Sequence, residues 1–175
     1  MKYGHGSHEV VSHEVYQSGG KEHRLLKDRA VLVIPAGGEA DVSTENEELK
    51  VTLTGRGRFA VHTRRGSVKV AAEGSEDMDV EVEGNGTVIA RGSLQLTARV
   101  GLVVTAHGRV RVETHDHCKL ELHDACHGTV KGTTVCEAFD DSRVSAQGWS
   151  RVRLHDRAEL DGKPSTSAHV EHARS

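Results

Sequence analysis

The stretch VSAQGWSRVRLHDRAE, residues 144–159, decides the fold, because it is one eight-residue pattern written twice. In both units, VSAQGWSR and VRLHDRAE, the first, third and seventh residues are apolar or small, whereas the second, fourth and eighth are polar. This alternation predicts a strand with one buried face. The fifth residue is Gly or Asp, and both tolerate turn conformations. Each unit therefore predicts a short strand followed by a corner, where we expect an Asp to cap its own turn.

The same pattern continues in register from residue 80 to residue 162, for about ten units. Its first column is apolar except at Gly128, and its fifth column is Gly or Asp except at Val100. Such units bury a continuous core only when each coil lies on the previous one. The first column reads Val80, Val88, Leu96, Val104, Val112, Leu120, Gly128, Cys136, Val144, Val152 and Leu160.

We therefore predict an all-β fold, a single-chain β-solenoid (β-helix) of eight-residue strand–corner units. Adjacent coils should be joined by parallel ladders about 4.8 Å apart. Two units would give a flattened coil of sixteen residues, and three would give a triangular coil of twenty-four. The inward columns are similar in every unit, so the pattern leaves both possibilities open.

The domain organisation follows from where the periodicity holds. Residues 1–28 show little periodicity and are predicted to be an N-terminal arm, mobile or ordered by a partner. Residues 29–162 are assigned to the solenoid, within which residues 29–42 suggest a strand pair or a first capping coil. The sequence SEDM at residues 75–78 interrupts the repeat and predicts a bulged loop. Residues 163–175 are predicted to be a C-terminal tail.

Composition and charge exclude several classes of protein. Aromatic residues make up only 3% of the chain, so the core must consist mainly of Val, Leu and Ala. The net charge is −3 with no basic face, which gives no basis for binding nucleic acid. No apolar run approaches membrane-spanning length. Three cysteines without paired spacing favour free thiols in a reducing compartment, cytoplasmic or within a virion. No cofactor is expected.

The cysteines fall in the most chemically suggestive stretch, VRVETHDHCKLELHDACHG at residues 110–128. Cys118 and Cys126 occupy the seventh position of the repeat, and Cys136 occupies the first, so all three should point inward. We expect them to be buried fillers of the core. A Cys–His catalytic dyad is disfavoured because the neighbouring His115 should point outward. We predict no catalytic residues.

The histidines at the fourth position should point outward. In a sixteen-residue coil, His107 would stack on His123, and Phe139 and His155 would continue that ladder. In a twenty-four-residue coil, His107 would instead lie above Lys131. Two imidazoles one coil apart could share a transition metal, and the candidate ligands are His107, His123 and His127. The favoured interpretation is a surface ladder without a ligand.

Two other features suggest contact with a partner. His5, His8 and His13 lie in the N-terminal arm, which could be ordered by docking. Trp149, at the sixth position beside a corner, is a candidate contact residue if it is exposed, since tryptophan is common at the energetic centres of interfaces. The favoured interpretation is that it folds down over a neighbouring coil. These four residues are the predicted partner-binding set.

The repeat of residues 80–162, roughly half the chain, resembles that of a family of uncharacterised proteins often encoded by phages and prophages, as in the segment DDSRVSAQGWSRVRLHDRAEL at residues 140–160. Those proteins carry long runs of the repeat V-x-A-x-D-x-S-x. A looser likeness exists to bactofilins and to adhesin-type β-helices. The resemblance implies a β-solenoid and a phage or bacterial source, but it supplies no activity and no functional residues. This chain departs from the family pattern by its frequent Gly at the Asp position and by its His-rich corners.

The favoured function is therefore a non-enzymatic structural or protein-interaction component, phage-encoded or virion-associated, whose partner is another protein or a second copy of the chain. One alternative is a bacterial scaffold that polymerises end to end. A second is a metal or ligand binder that uses the histidine ladder. A third is a carbohydrate-active enzyme, for which the outward acids Glu113, Glu121 and Glu137 line up at the second position.

Overall fold

The computed structural model describes residues 9–18, 21–34, 38–44, 48–63 and 67–173 of the chain, and the side chains of residues 50–63 and 67–173. The described residues form sixteen β-strands and no helix. The strands are β1 Glu9–Ser18, β2 Lys21–Ile34, β3 Gly38–Thr44, β4 Glu48–Thr63, β5 Ser67–Glu83, β6 Gly86–Gly92, β7 Gln95–Arg99, β8 Leu102–Gly108, β9 Arg111–Thr114, β10 Lys119–Leu122, β11 His127–Val130, β12 Val135–Ala138, β13 Arg143–Ala146, β14 Arg151–Leu154, β15 Glu159–Leu160 and β16 His169–His172.

The coil contains two repeat units. Val104 in β8 pairs in parallel with Leu120 in β10, sixteen positions later, and Leu120 pairs with Cys136 in β12 by the same step. The chain is therefore a β-solenoid, as predicted, and the sixteen-residue coil is the correct alternative.

Each coil contributes one strand to each of two faces. The even-numbered strands β6 to β16 stack in one row, here called the even face, and the odd-numbered strands β7 to β15 stack in the other, the odd face. The long strand β5 belongs to both rows, because residues 68–74 pair with β6 and residues 79–83 pair with β7. We call the turn that follows an odd strand the first corner and the turn that follows an even strand the second corner.

The core is a narrow column between the two faces. Cys118, Cys126 and Cys136 are 1%, 1% and 0% exposed, which confirms that they are buried. The break in the first column at Gly128 has a packing reason. A Cβ added there would lie 2.7 Å from Cδ1 of Leu122 and 3.3 Å from Cδ2 of Leu120, so two leucines already fill the space.

The corners follow the fifth position of the repeat. All ten residues at this position, from Gly84 to Asp156, have positive φ angles, which confirms the predicted corners. The aspartates differ from expectation in one respect. The Oδ2 of Asp124 accepts a 2.8 Å hydrogen bond from the backbone N–H of Gly108, and that of Asp140 accepts a 3.0 Å bond from the N–H of Asp124. These side chains join successive coils instead of capping their own turns, because the parallel stack brings the previous corner within reach.

At the N-terminal end, β1 pairs antiparallel with β2, and β2 pairs in parallel with β3 and β4. Residues 30–34 and 38–44 do not pair with each other but stack in parallel on the two halves of β4, nineteen positions later, so this segment forms a coil, the second predicted alternative, and not a strand pair. The arm boundary at residue 28 falls within β2. The expected irregularity near SEDM is a bulge inside β5. Gly55 pairs with Gly74 and Gly57 with Met78, so three residues of β5 lie opposite Arg56.

At the C-terminal end, the structure extends the solenoid into the predicted tail. Arg151 pairs with His169, eighteen positions later, so β16 continues the even face after a two-residue insertion. This insertion breaks the eight-residue register and hides the last strand from the repeat. Among the described residues, no helix is long and apolar enough to cross a membrane.

Candidate interaction surface

The outer surface of the even face consists of straight columns of side chains, one residue per coil. The fourth position forms the ring column His107, His123, Phe139 and His155. The second position forms the acidic column Thr105, Glu121, Glu137, Arg153 and Glu171. The eighth position forms the basic column Val103, Lys119, Val135, Arg151 and His169.

Exposed apolar side chains are concentrated on this side of the molecule. Trp149, at the first corner beside the even face, is 73% exposed. Ile89, Val103 and Val135 point outward from the even face and are 44%, 40% and 42% exposed, and Val100 at the first corner is 41% exposed. Within the described side chains, the odd face exposes no large hydrophobic residue. Clustered exposed apolar surface is a common mark of an interaction site.

The ring column is a continuous stack. The ring centroids of His107 and His123 are 4.7 Å apart, those of His123 and Phe139 are 4.9 Å apart, and those of Phe139 and His155 are 4.3 Å apart. The rings are nearly parallel, with interplanar angles of 13°, 4° and 16°. This order is the one that the sixteen-residue coil predicted, and it gives the even face a flat, rigid aromatic edge.

The three predicted metal ligands do not converge. His127 lies on the odd face in β11, where its Nε2 is 3.1 Å from Oδ2 of Asp161. His107 and His123 are adjacent, but the lone pair of an imidazole lies in the plane of its ring, and parallel rings do not direct two lone pairs at one point. Sharing an ion would require one ring to tilt out of the stack. The described residues contain no group of three or more His, Cys, Asp or Glu side chains placed to hold a metal ion. Metal binding stays a prediction.

The acidic column is partly neutralised within the face. The Nε of Arg153 donates a 2.6 Å hydrogen bond to Oε1 of Glu171, which raises the pKa of Arg153 and lowers that of Glu171. The Nε2 of His155 lies 3.3 Å from Oε2 of Glu137, within ion-pair distance although not in hydrogen-bond geometry. Glu121 is exposed and has no ion pair with any other described residue.

The basic column, in contrast, keeps its charge available. Lys119 and Arg151 are exposed, and neither forms an ion pair with another described residue. Val135, Arg151 and Trp149 line a groove that continues toward β16, together with His117, Thr133, Glu137, Arg153, His169 and Glu171. The groove therefore combines an exposed indole and an exposed valine with an unpaired guanidinium.

The catalytic alternatives receive no converging geometry. Glu113 lies on the odd face, away from Glu121 and Glu137, and its Oε1 accepts hydrogen bonds from Nζ of Lys131 at 2.7 Å and from Nε2 of His115 at 2.6 Å. The hydrogen bond from Lys131 is the main cause of its lowered pKa.

The cysteines are poorly suited to nucleophilic chemistry. Burial raises the pKa of Cys118 and raises that of Cys126 to about 11. The Sγ of Cys118 lies 2.9 Å from the carbonyl oxygen of Val100 and 3.1 Å from that of His115, so its thiol donates to the backbone. A buried, protonated thiol is a weak nucleophile.

The predicted partner-binding residues are widely separated along the chain. Trp149 is 73% exposed at the first corner, so the expectation that it folds down over a neighbouring coil is wrong and the contact alternative stays open. His13 lies in β1, where it pairs with Leu26, and His5 and His8 fall outside the described residues. The repeat did not reveal the remaining members of the surface, Lys119, Val135 and Arg151, because a column of the octapeptide mixes residues of both faces. Knowing that the coil has two units assigns alternate residues of each column to the even face and to the odd face.

Models of known protein families gave no match to this chain, and neither the curated proteins nor the solved structures contained a similar protein.

Proposed function

We propose that this protein is a non-enzymatic structural component that binds another protein through the even face of its solenoid. The observation that carries this proposal is the concentration of exposed apolar side chains on one side, where Trp149, at 73% exposure, shares a groove with Val135, and Val103 lies further along the same face. An indole and two valines in a rigid surface lose unfavourable contact with water when a partner covers them. Tryptophan and arginine are also the residues most enriched at the energetic centres of interfaces.

The solenoid lowers the entropic cost of binding. Its outward side chains stand on strands that are hydrogen-bonded on both sides, so the backbone has little freedom left to lose when a partner docks. Repeat proteins commonly act through extended surfaces of this kind. The resemblance of the octapeptide to phage and prophage proteins supports a place in a phage particle or a phage-bearing bacterium, and the buried free thiols fit a reducing compartment.

The N-terminal arm is proposed as a second contact. Among the described strands, β1 pairs only with β2, so its other edge offers backbone groups to an added strand. Addition of a partner strand to an exposed sheet edge is a frequent mode of recognition. The arm also carries His5, His8 and His13, the histidines predicted to contact a partner.

Site-specific photo-crosslinking in the source cells tests this function. A photoreactive residue at position 135 on the even face should form a covalent adduct with a defined protein. The matched control is position 143, because Val135 and Arg143 are both exposed eighth-position residues but belong to opposite faces. Equal crosslinking at the two positions would argue against a specific face. Mass spectrometry of purified phage particles from the same source would test the virion assignment.

A second candidate function is an end-to-end scaffold, and the last coil favours it. Within the described strands, β15 pairs only with β13 and β16 only with β14. Leu160, Ala168 and Val170 continue the core at this end but are only partly buried. A further coil from another chain would cover them and complete the ladder. Electron microscopy over a range of concentrations should then show lengthening rods. Val170→Lys, which places a charge on the inward side, should abolish the rods, whereas His169→Lys on the outward side of the same strand should not.

A further inference from the structure

We propose that the even face binds the even face of a second copy of this chain, so that two solenoids lie side by side in parallel. In this dimer the basic column of each copy covers the acidic column of the other. The inference rests on the proposed function only in using the same exposed face, and it names the partner as the protein itself.

The spacing of the columns favours a second copy of the chain as the partner. Side chains of the even face repeat at the distance between hydrogen-bonded strands, about 4.8 Å. A partner can meet every coil only if its own groups repeat at that distance along the same direction. The ring column already shows the regularity, with centroid separations of 4.3–4.9 Å. A second copy supplies an identical period, and two sheets can pack face to face about 10 Å apart.

The order of the columns across the even face lets a two-fold axis bring basic and acidic side chains together. Going from the first corner to the second, the outward columns are the sixth, eighth, second and fourth positions of the repeat. A two-fold axis parallel to the solenoid and midway between the basic and acidic columns exchanges those two columns at the same height. Lys119 then faces Glu121 of the second copy, and His169 faces Glu171 of the second copy. Because the contact is isologous, each pairing occurs twice.

The same arrangement covers the exposed side chain of Trp149. The same axis exchanges the sixth column, which carries Trp149, with the ring column. Trp149 thereby approaches Phe139 and His155 of the second copy, and its exposed indole gains an aromatic surface. Aromatic side chains associate favourably in offset or edge-to-face arrangements. Val135 becomes covered in the same contact.

Two pairings in this arrangement are unfavourable, and they limit the affinity. Val135 covers the carboxylate of Glu137 of the second copy, which desolvates a charge. Arg151 faces Arg153 of the second copy, but Arg153 already binds Glu171 through a 2.6 Å hydrogen bond, which offsets its charge. Four intervals of about 4.8 Å and a width of about 20 Å give a contact of about 400 Å² per copy. That is about half of the roughly 800 Å² per partner found in standard interfaces. We therefore expect dissociation in the micromolar range or weaker.

Sedimentation equilibrium and intrinsic fluorescence test the dimer together. Trp149 is the only tryptophan in the chain, so its emission reports this face alone. As concentration rises through the micromolar range, the mass should double and the emission should shift to shorter wavelength. Lys119→Glu should weaken association at least tenfold, and Lys119→Glu combined with Glu121→Lys should restore it. Arg111→Glu is the matched control, because Arg111 is an exposed eighth-position cation on the odd face.

Three results would overturn the proposal. The first is a monomer at all concentrations up to the millimolar range. The second is a dimer that Lys119→Glu and Arg111→Glu weaken equally. The third is an assembly that grows without limit and responds to Val170→Lys but not to Lys119→Glu, since that pattern belongs to end-to-end stacking. None of these results decides whether a different protein crosslinks to position 135, so the proposed function is tested separately.

Discussion

The carboxylate of Asp124 reaches back one full coil, where its Oδ2 accepts a 2.8 Å hydrogen bond from the backbone N–H of Gly108. Asp140 repeats the contact one coil later, with the N–H of Asp124 at 3.0 Å. Both aspartates also have positive φ angles, 59° and 58°. A single residue type thus forms the turn and links it to the previous coil. Glycine can form the turn but has no side chain to bond the previous coil. The aspartates therefore stabilise the second corner by linking successive coils.

We expect Asp140→Ala to lower the free energy of unfolding by about 1–3 kcal/mol, because it removes the acceptor for a backbone N–H and places a Cβ-bearing residue without side-chain support in the left-handed region. Asp140→Asn keeps an acceptor oxygen and tolerates the same φ angle, so it should change stability by less than about 0.5 kcal/mol. Urea denaturation of both variants measures the difference. Equal losses would show that the inter-coil hydrogen bond contributes little.

Val100 is the one residue in the fifth column that suits a corner poorly. Its φ angle is 72°, and a β-branched residue in this region is strained by roughly 1–3 kcal/mol. Val100→Gly should therefore raise the free energy of unfolding by about 1 kcal/mol, after the greater chain entropy of glycine is subtracted. Val103→Gly is the control, because Val103 is similarly exposed but lies in β8 and should lose stability. If both variants lose stability, the strain at Val100 is small.

The octapeptide predicts most of the solenoid because each column has a local physical cause. Inward residues must be apolar or small, and the fifth residue must accept a positive φ angle, and both requirements are visible in one unit. The number of units in a coil is a property of how the units close on one another. The inward residues are of the same type in every unit, whether a coil has two units or three. Only the structure therefore shows that the coil has sixteen residues.

The interaction surface on the even face cannot be recognised from the octapeptide alone, because the repeat does not show which units share a face. Lys119 and Arg111 both occupy the eighth position, yet one lies on the even face and the other on the odd face. In the bare repeat they belong to one column. The separation of basic, acidic and ring columns therefore emerges only when alternate units are assigned to opposite faces. The ring column is the exception, because the sequence predicts that His107 stacks on His123 if the coil has sixteen residues.

Gly128 tests how tightly the core is filled. Gly128→Ala should lower the free energy of unfolding by about 1–3 kcal/mol, because the new methyl group would lie 2.7 Å from Cδ1 of Leu122 and 3.3 Å from Cδ2 of Leu120, so both buried leucines would have to shift. A double-mutant cycle with Leu122→Ala should show favourable coupling, since the truncated side chain makes room for the methyl group. Thermal or urea unfolding of the four proteins measures this coupling. Strand propensity alone would make Gly128→Ala stabilising. A stabilising effect would therefore contradict the close contact with the two leucines.

Thr114 carries a buried hydroxyl without a hydrogen-bond partner among the described residues. Thr114→Val has nearly the same shape and removes the desolvated hydroxyl, so we expect it to raise the free energy of unfolding by about 1 kcal/mol. Thr134 is the matched control, because it is equally buried but its Oγ1 donates a 2.9 Å hydrogen bond to the carbonyl of Lys131. Thr134→Val should leave stability unchanged or reduce it. A gain in both variants would mean that the hydrogen bond has no net value.

The pH dependence of stability should contain a contribution from Glu113. The hydrogen bond that Lys131 donates at 2.7 Å is the main cause of the lowered pKa of this carboxyl group, and the 2.6 Å contact with His115 adds to it. The folded pKa lies below the unfolded one, so the ionised group stabilises the fold above the unfolded value, about pH 4.5, and this contribution is lost as pH falls through the folded pKa. Lys131→Met should remove the larger part of this contribution and leave the part due to His115, so the stability difference from the parent protein should be present at pH 7 and shrink below about pH 4.5.

Lys119→Met provides the comparison, because Lys119 is exposed and pairs with no described carboxylate. The difference in the free energy of unfolding between Lys119→Met and the parent protein should stay nearly constant over the same pH range. Unfolding is measured in urea at low protein concentration, where the chain is monomeric. A constant difference for Lys131→Met as well would show that the ion pair does not contribute to folding. A difference for Lys131→Met that grows on acidification would reverse the sign expected of a carboxylate with a lowered pKa, and would place the coupling on a group other than Glu113.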